Sequence, residues 1–507
     1  MLPDDVLLEI FDFYMVEAMG DDEDIYSKME AWQALVHVCR RWGSVVFGSS
    51  RRLELKLICT TETPARDTLD VWPALPLVVQ GETENVDNIV ALLECSDRID
   101  QISFWGYKSY NWEGISEAME VPFPELTYLW LRHYDKTKPV PPLSDSFLAG
   151  SAPRLQLLTL DRIPFPGLPK LLSTATHLTD LFLFNIPHSA YISPEAMVDC
   201  IATLTSLGGL ALEFQSPQSR PDRESRPSPP SKRTVLPVLT DFRFRGVCEY
   251  LEVLVARIDA PELDFLDITY FNDIIFDTPQ FTQFIGRTPT LEAFDKASVV
   301  LGDQHATIEL SSNTADDGKL NVGISCGEFD WQVSFLEQVC TSSLPPLSTL
   351  EDLYISEHPY EQPVWGDNID GALWLELLHP FTKVKDLFLS EQIALRVVPA
   401  LQELVGGRTI EVLPTLEHVF IEGLQPSGPV QEGVEKFVAA RQVASLPIAV
   451  SRWDRDPNWP QPEASWSLWP PQLDRQRVPR QHTSASFTEK LRRSTWSQAG
   501  GNGYRSD

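Results

Sequence analysis

Pro124-Glu125-Leu126-Thr127-Tyr128-Leu129-Trp130-Leu131 and, further on, Pro153-Arg154-Leu155-Gln156-Leu157-Leu158-Thr159-Leu160 share one frame, apolar-x-x-apolar-x-apolar. The frame recurs as Ile99/Ile102/Phe104, Leu178/Leu181/Leu183, Leu207/Leu210/Leu212, Leu239/Phe242/Phe244 and Leu263/Leu266/Ile268. A degraded copy at Leu291/Phe294 precedes Leu350/Leu353/Ile355, Val384/Leu387/Leu389 and Leu416/Val419/Ile421. Most copies begin 23 to 34 residues apart, and a proline often opens them (Pro124, Pro153, Pro414). The alternation at the end of each unit is that of a short strand. One such unit is weak evidence, because any amphipathic segment can produce it. Copies kept in phase along most of the chain point to a repeat array.

This array resembles a leucine-rich repeat of irregular length. The resemblance implies an α/β solenoid in which each copy supplies one strand and a helix or loop, with a parallel inner sheet. The asparagine that usually follows the strand in such repeats is mostly absent, so the turns differ from those of regular repeats. An unrelated α/β domain with many parallel strands is the other reading. In each unit the third, fifth and seventh positions point away from the core, onto the expected concave face. They hold Trp105, Tyr128, Trp130, Phe182, Phe184, Tyr354, Phe388 and Phe420, interleaved with Asp180, Asp241, Arg243, Arg245, Asp352 and Asp386. Aromatics with few charges among them have the composition of an interface core, which makes them candidate target-binding residues. Packing beneath flanking loops or the C-terminal tail explains them equally well.

The pattern sets expected boundaries. Residues 51–98 read as a connecting segment that opens on a strand-like Leu53 to Cys59, and 99–450 read as the solenoid. Two stretches interrupt it: a Pro-, Ser- and Arg-rich segment over 215–234, read as disordered, and two alternating segments over 298–326, read as an inserted hairpin. Trp331 to Val339 reads as a helix. Residues 451–507 carry nine Lys/Arg against six Asp/Glu with no strand or helix period, and read as a disordered tail.

At the N-terminus, Leu2, Val6, Leu7, Ile10, Phe11 and Tyr14 recur at three- and four-residue steps, as on an amphipathic helix. Pro3 suits the first turn, and Asp4 and Asp5 complement its positive end. After an acidic spacer, Gly20-Asp21-Asp22-Glu23-Asp24, a second apolar stripe runs through Trp32, Leu35, Val36, Cys39 and Trp42. Leu2-Pro3, Asp5, Val6-Leu7, Ile10-Phe11 and Val38-Cys39-Arg40-Arg41-Trp42 resemble the F-box, a helical module expected over residues 1–50. The spacer departs from that family, where a short Asp-Leu turn is common. An ordinary helix pair capping the next domain is the plainer alternative.

Across residues 2–453 the chain resembles fungal F-box proteins, sharing the Val38 to Trp42 block, Thr63 to Asp70 and an ending like Gln442 to Trp453. The resemblance implies a substrate receptor of an SCF-type ubiquitin ligase, with no cofactor and no catalysis of its own. Leu2, Pro3, Val6, Leu7, Ile10, Phe11, Val38, Cys39, Arg40 and Trp42 would dock a Skp-type adaptor, and through it a cullin, while the repeats hold a target protein. Fully burying Leu2, Leu7, Ile10 and Phe11 contributes roughly 6–12 kcal/mol, against an association cost of about 4–15 kcal/mol, so both halves of the module must engage. The alternative function is a leucine-rich-repeat scaffold uncoupled from ubiquitination.

Composition narrows the classes further. A net charge of −31 over 507 residues opposes phosphate-backbone binding, so no nucleic-acid partner is expected. The N-terminus lacks the basic start of a signal peptide and no apolar run reaches membrane-spanning length, so a cytoplasmic or nuclear protein is expected. Seven cysteines without a C-x-x-C pair suggest reduced thiols, not a zinc site. No P-loop, H-E-x-x-H, G-x-S-x-G or dinucleotide fingerprint occurs, and His37, His177 and His418 have no nucleophile at a telling spacing.

Overall fold

The computed structural model describes residues 2–17, 25–217, 232–271, 278–312, 318–344, 347–359, 371–404 and 411–454. Its strands are β1 (Leu57–Thr60), β2 (Leu77–Glu82), β3 (Ile99–Gly106), β4 (Tyr128–His133), β5 (Leu157–Asp161), β6 (Asp180–Ile186), β7 (Gly209–Phe214), β8 (Thr234–Val235) and β9 (Asp241–Gly246). They continue as β10 (Ile258–Asp259), β11 (Phe265–Phe271), β12 (Lys296–Leu301), β13 (Ala306–Ser311), β14 (Lys319–Ser325), β15 (Asp352–Glu357), β16 (Asp386–Leu389), β17 (His418–Glu422) and β18 (Ala449–Trp453). Sixteen of them form one sheet in the order β1-β2-β3-β4-β5-β6-β7-β9-β11-β14-β13-β12-β15-β16-β17-β18, and β8 pairs with β10 separately. The result is a leucine-rich-repeat-like α/β solenoid with one long, mostly parallel sheet.

The register is the one the repeat frame dictates. Leu129, Leu158, Leu181, Leu210, Phe242 and Leu266 stand in one row across β4 to β11, all fully buried. Leu353, Leu387 and Val419 form the matching row across β15 to β17. A two-residue side-chain period sends the second and third apolar positions of every unit to the same face, where they meet residues of helices such as Val86–Leu93, Cys248–Val255 and Glu391–Gln402 in one core. The first apolar position (Leu126, Leu155, Leu178, Leu207) is buried just ahead of the strand. There a backbone ladder already runs between repeats: Gln156 N donates to Thr127 O (2.8 Å), Thr179 N to Gln156 O (2.8 Å) and Gly208 N to Thr179 O (2.7 Å). Those bonds satisfy backbone groups that burial would otherwise strand.

Four boundaries differ from the sequence expectation. The sheet starts at Leu57, so the connecting segment 51–98 already contributes β1 and β2. The expected hairpin is a three-stranded meander inside the main sheet: β12 runs parallel to β15, β14 parallel to β11, and β13 antiparallel to both. Its alternating residues Val299, Ile308 and Val322 pair across the three strands and continue the buried face, so the insert extends the core. At the C-terminus Ala449–Trp453 pairs with β17, which moves the start of the tail past Trp453. The expected disordered segment ends at Thr234, which instead opens β8 (Thr234–Val235). The rest of the 215–234 expectation over 218–231, the 455–507 tail and the spacer 20–24 lie outside the described residues.

Among the described residues three helices precede the sheet: α1 (Asp4–Glu17), α2 (Ile25–Val38) and α3 (Arg40–Gly48). The second half of the module breaks at Cys39, whose extended backbone (φ −164°, ψ 164°) ends α2 and starts α3. Leu7, Phe11 and Met15, one helical turn apart, turn inward, and Phe11 meets Trp42 edge-on at 4.9 Å. Trp32 is buried, donates from Nε1 to Lys56 O (3.2 Å) and stands edge-on to Trp72 at 5.1 Å. Arg41 pairs with Asp4, and Arg52 bridges Glu9 and Asp12. These contacts fasten the module to the first turn of the solenoid within one core.

Candidate functional site

The single apolar face expected of α1 is two faces. At about 100° per residue, Leu7, Phe11 and Met15 project to one side, and Leu2, Val6, Ile10 and Phe13 to the other. The second group is exposed: Leu2 51%, Ile10 45%, Phe13 70%, with Val38 at the end of α2 at 59%. Arg41 donates to Leu2 O, so the α2–α3 junction lies beside the start of α1. Of the ten expected docking residues, Leu2, Pro3, Val6, Ile10, Val38, Cys39 and Arg40 are at the surface. Leu7 and Phe11 are buried and Trp42 is half-buried against Phe11. These three hold the module together and do not offer a docking surface. Phe13, unassigned from the sequence, is the most exposed aromatic on the outward stripe.

The open face of the sheet divides into three blocks. On β3 to β7, Tyr128, Trp130, Leu157, Phe182 and Ala211 form a cluster separate from the main core, with Trp105 and Phe184 packed against it and no helix residue in it. Rings on neighbouring strands stand close enough to cover one another. Hence Trp130 (6% exposed) and Phe182 (7%) are largely buried by their neighbours, while Trp105 and Phe184 keep more surface. On β15 to β17, Tyr354, Phe388 and Phe420 share one row and stack nearly flat, at 4.2 Å and 4.5 Å between centroids. Trp453 of β18 closes that ladder edge-on to Phe388 at 5.5 Å. All eight expected target-binding aromatics thus fall into two groups, and the half-buried members Trp105, Phe184, Phe388 and Phe420 carry what surface they present.

From the ends of β4, β5 and β7 across to β14 runs a mostly buried ionic block that sequence reading found only in part. Asp161 pairs with Arg132 (2.9 Å) and accepts from Asn185 (2.8 Å); Asp267 accepts from Asn321 (2.8 Å); Arg243 pairs with Asp241 (2.9 Å). Glu213, 5% exposed, has its pKa pushed up to about 8 by burial, opposed by Arg245 and reinforced by Asp267 and Asp161. Burial lifts Asp267 to about 6 against the pull of Arg243 and the Asn321 hydrogen bond. Below the second ladder, His418 Nδ1 stands 2.7 Å from Asp386 Oδ1. Arg243, Arg245, Asp241 and Asp386 were legible as outward positions; Arg132, Asp161, Glu213 and Asp267 occupy the same parity and were missed.

Among the described residues no group of three or more His, Cys, Asp or Glu is placed to hold a metal ion, and no helix is long and apolar enough to cross a membrane. All seven cysteines are free thiols. Burial pushes Cys59 up to about 11.

No family model and no curated protein matches the chain. Among solved structures it is similar to the Rad7 and Elc1 complex in yeast, at 11% identity and TM-score 0.28 over 87% of this chain and 95% of that one. It is also similar to the leucine-rich repeat-containing protein LegL7 from Legionella pneumophila, at 11% identity and TM-score 0.28 over 76% and 97%. Likenesses this distant bear on neither the site nor the function.

Proposed function

We propose that this chain is the target-recognition subunit of an SCF-type ubiquitin ligase, working in the cytosol or nucleus and performing no catalysis itself. The helical module docks a Skp-type adaptor, and the open face of the solenoid holds a target protein. The observation that carries this reading is the outward stripe Leu2, Val6, Ile10 and Phe13 beside Val38, on a module whose other side is already locked down by Phe11, Trp42 and Trp32. A helix kept rigid on one side with large apolar groups exposed on the other has the anatomy of a docking element. Burying what these five side chains still expose contributes about 4–8 kcal/mol. Association costs about 4–15 kcal/mol, so the exposed Pro3, Cys39 and Arg40 must add contacts.

The second supporting observation is the pair of aromatic groups on a sheet face where, among the described residues, no helix residue joins the aromatic cluster of β3 to β7. Seven strand steps separate β6 from β15, about 34 Å at the usual spacing. A target spanning both groups must therefore reach over the ionic block between them. The test is reconstitution of ubiquitin transfer with adaptor, cullin and a proximity-labelled partner. Modification that needs residues 1–50 supports the proposal. Capture of the partner with no transfer under any condition favours an uncoupled scaffold and refutes the ligase role.

A further inference from the structure

At the C-terminal ends of β4 to β7 the chain surrounds a cavity of about 250 Å³, apart from both surfaces above. Its wall includes His133, Asp135, Lys136, Lys138, Arg162 and Gln215. Three of these are cations gathered in a chain of net charge −31.

One side of the cavity is a loop with a fixed conformation. His133 is buried and its Nδ1 accepts from Trp112 Nε1 (3.3 Å), because an indole N–H only donates. The imidazole proton is then on Nε2, which donates to Lys138 O (3.2 Å) and ties the loop to the strand end. Asp135 accepts from the Thr137 backbone (2.8 Å) and hydroxyl (2.6 Å), so its charge is engaged within the loop. Lys136 and Lys138 are exposed on it, and Lys136 makes no ion pair among the described residues.

The opposite side is Arg162, held in the left-handed region at φ 58° with its N–H donating to Phe184 O (3.0 Å). A non-glycine residue occupies that region at a cost, and such outliers gather where structure serves a ligand. Arg162 Nε is buried with no hydrogen-bond partner among the described residues, and Nη1 is 4.0 Å from Asp161 Oδ1. Asp161 is already engaged by Arg132 and Asn185. A mostly buried arginine whose Nε has no acceptor and whose end still reaches solvent calls for an anion.

The geometry points to a binding site for a small phosphate-bearing molecule, its oxyanion held between Arg162, Lys136 and Lys138. Small-ligand pockets begin near 300 Å³, so about 250 Å³ suits a phosphate with a few carbons and not a nucleotide. The inference does not depend on ligase coupling.

Calorimetry of the full chain with glycerol 3-phosphate and with inorganic phosphate, at low salt, tests it. Saturable one-to-one binding of glycerol 3-phosphate is expected, weakened about tenfold or more in Arg162→Gly and in the double variant Lys136→Gln/Lys138→Gln. Both lysines are exposed, so the double variant keeps the fold and carries the test by itself; glycine adopts the left-handed conformation freely, and a denaturant melt of Arg162→Gly separates loss of the site from loss of the fold. No saturable binding of either probe, or undiminished binding in both variants, overturns the assignment. A phosphoserine peptide that binds more tightly than glycerol 3-phosphate overturns the ligand class.

Discussion

Replacing Glu213 by Gln tests the electrostatics of the open face. Glu213 is buried, and its carboxyl is pushed from about 4.5 up to about 8. Above pH 4.5 the unfolded chain releases this proton while the folded chain keeps it, until the pH passes about 8. The folded state binds more protons across that window, so stability falls as pH rises through it and the loss is complete above about 8. Each pH unit inside the window costs about 1.4 kcal/mol, so the whole interval is worth about 5 kcal/mol. Glutamine keeps the shape and cannot ionise. Denaturant unfolding of wild type and Glu213→Gln from pH 4 to 9 should give curves that nearly coincide at pH 4. The variant should gain steadily and lead by about 3–5 kcal/mol at pH 9, less any attraction to Arg245 that it gives up. Asp267 titrates near pH 6 in both proteins and cancels in the difference. A stability difference flat across the range would refute the account of Glu213 as a buried, proton-holding acid.

Asn321→Ala removes the hydrogen bond to Asp267 and should raise the Asp267 pKa above about 6, read by carboxyl NMR titration. Phe11→Ala leaves a cavity between α1 and Trp42 and should destabilise by about 3–5 kcal/mol, seen as early proteolysis of the module; Phe13→Ser should change stability by only about 0.5 kcal/mol. Phe388→Ala removes the ring shared by Tyr354, Phe420 and Trp453 and should weaken target capture by about 1–4 kcal/mol in a pull-down titration while adaptor binding persists.

The repeat frame carried the fold because strand parity is a local property. Once Leu129, Leu158 and Leu181 are aligned in sequence, their pairing in the sheet follows. The alternation announced the antiparallel pair β13–β14, but not that β12 adds a third strand and that the insert joins the main sheet, because Val299, Ile308 and Val322 lack the repeat frame. On α1, apolar spacing marked the helix but could not divide Leu7 and Phe11 from Ile10 and Phe13, since that division depends on where Trp42 packs. The basic cavity was illegible: His133, Arg162 and Gln215 lie at or just past the ends of strands aligned only by the fold, and the left-handed backbone at Arg162 has no glycine to announce it.

The most direct measurement is the affinity of the full chain for a purified Skp-type adaptor, set beside the triple variant Val6→Ser/Ile10→Ser/Phe13→Ser. All three side chains are exposed, so the variant should unfold with wild-type denaturant sensitivity. The account predicts a stoichiometric complex with the wild-type chain and none with the variant. A wild-type chain that fails to bind, or a variant that binds as well as the wild type, would contradict it.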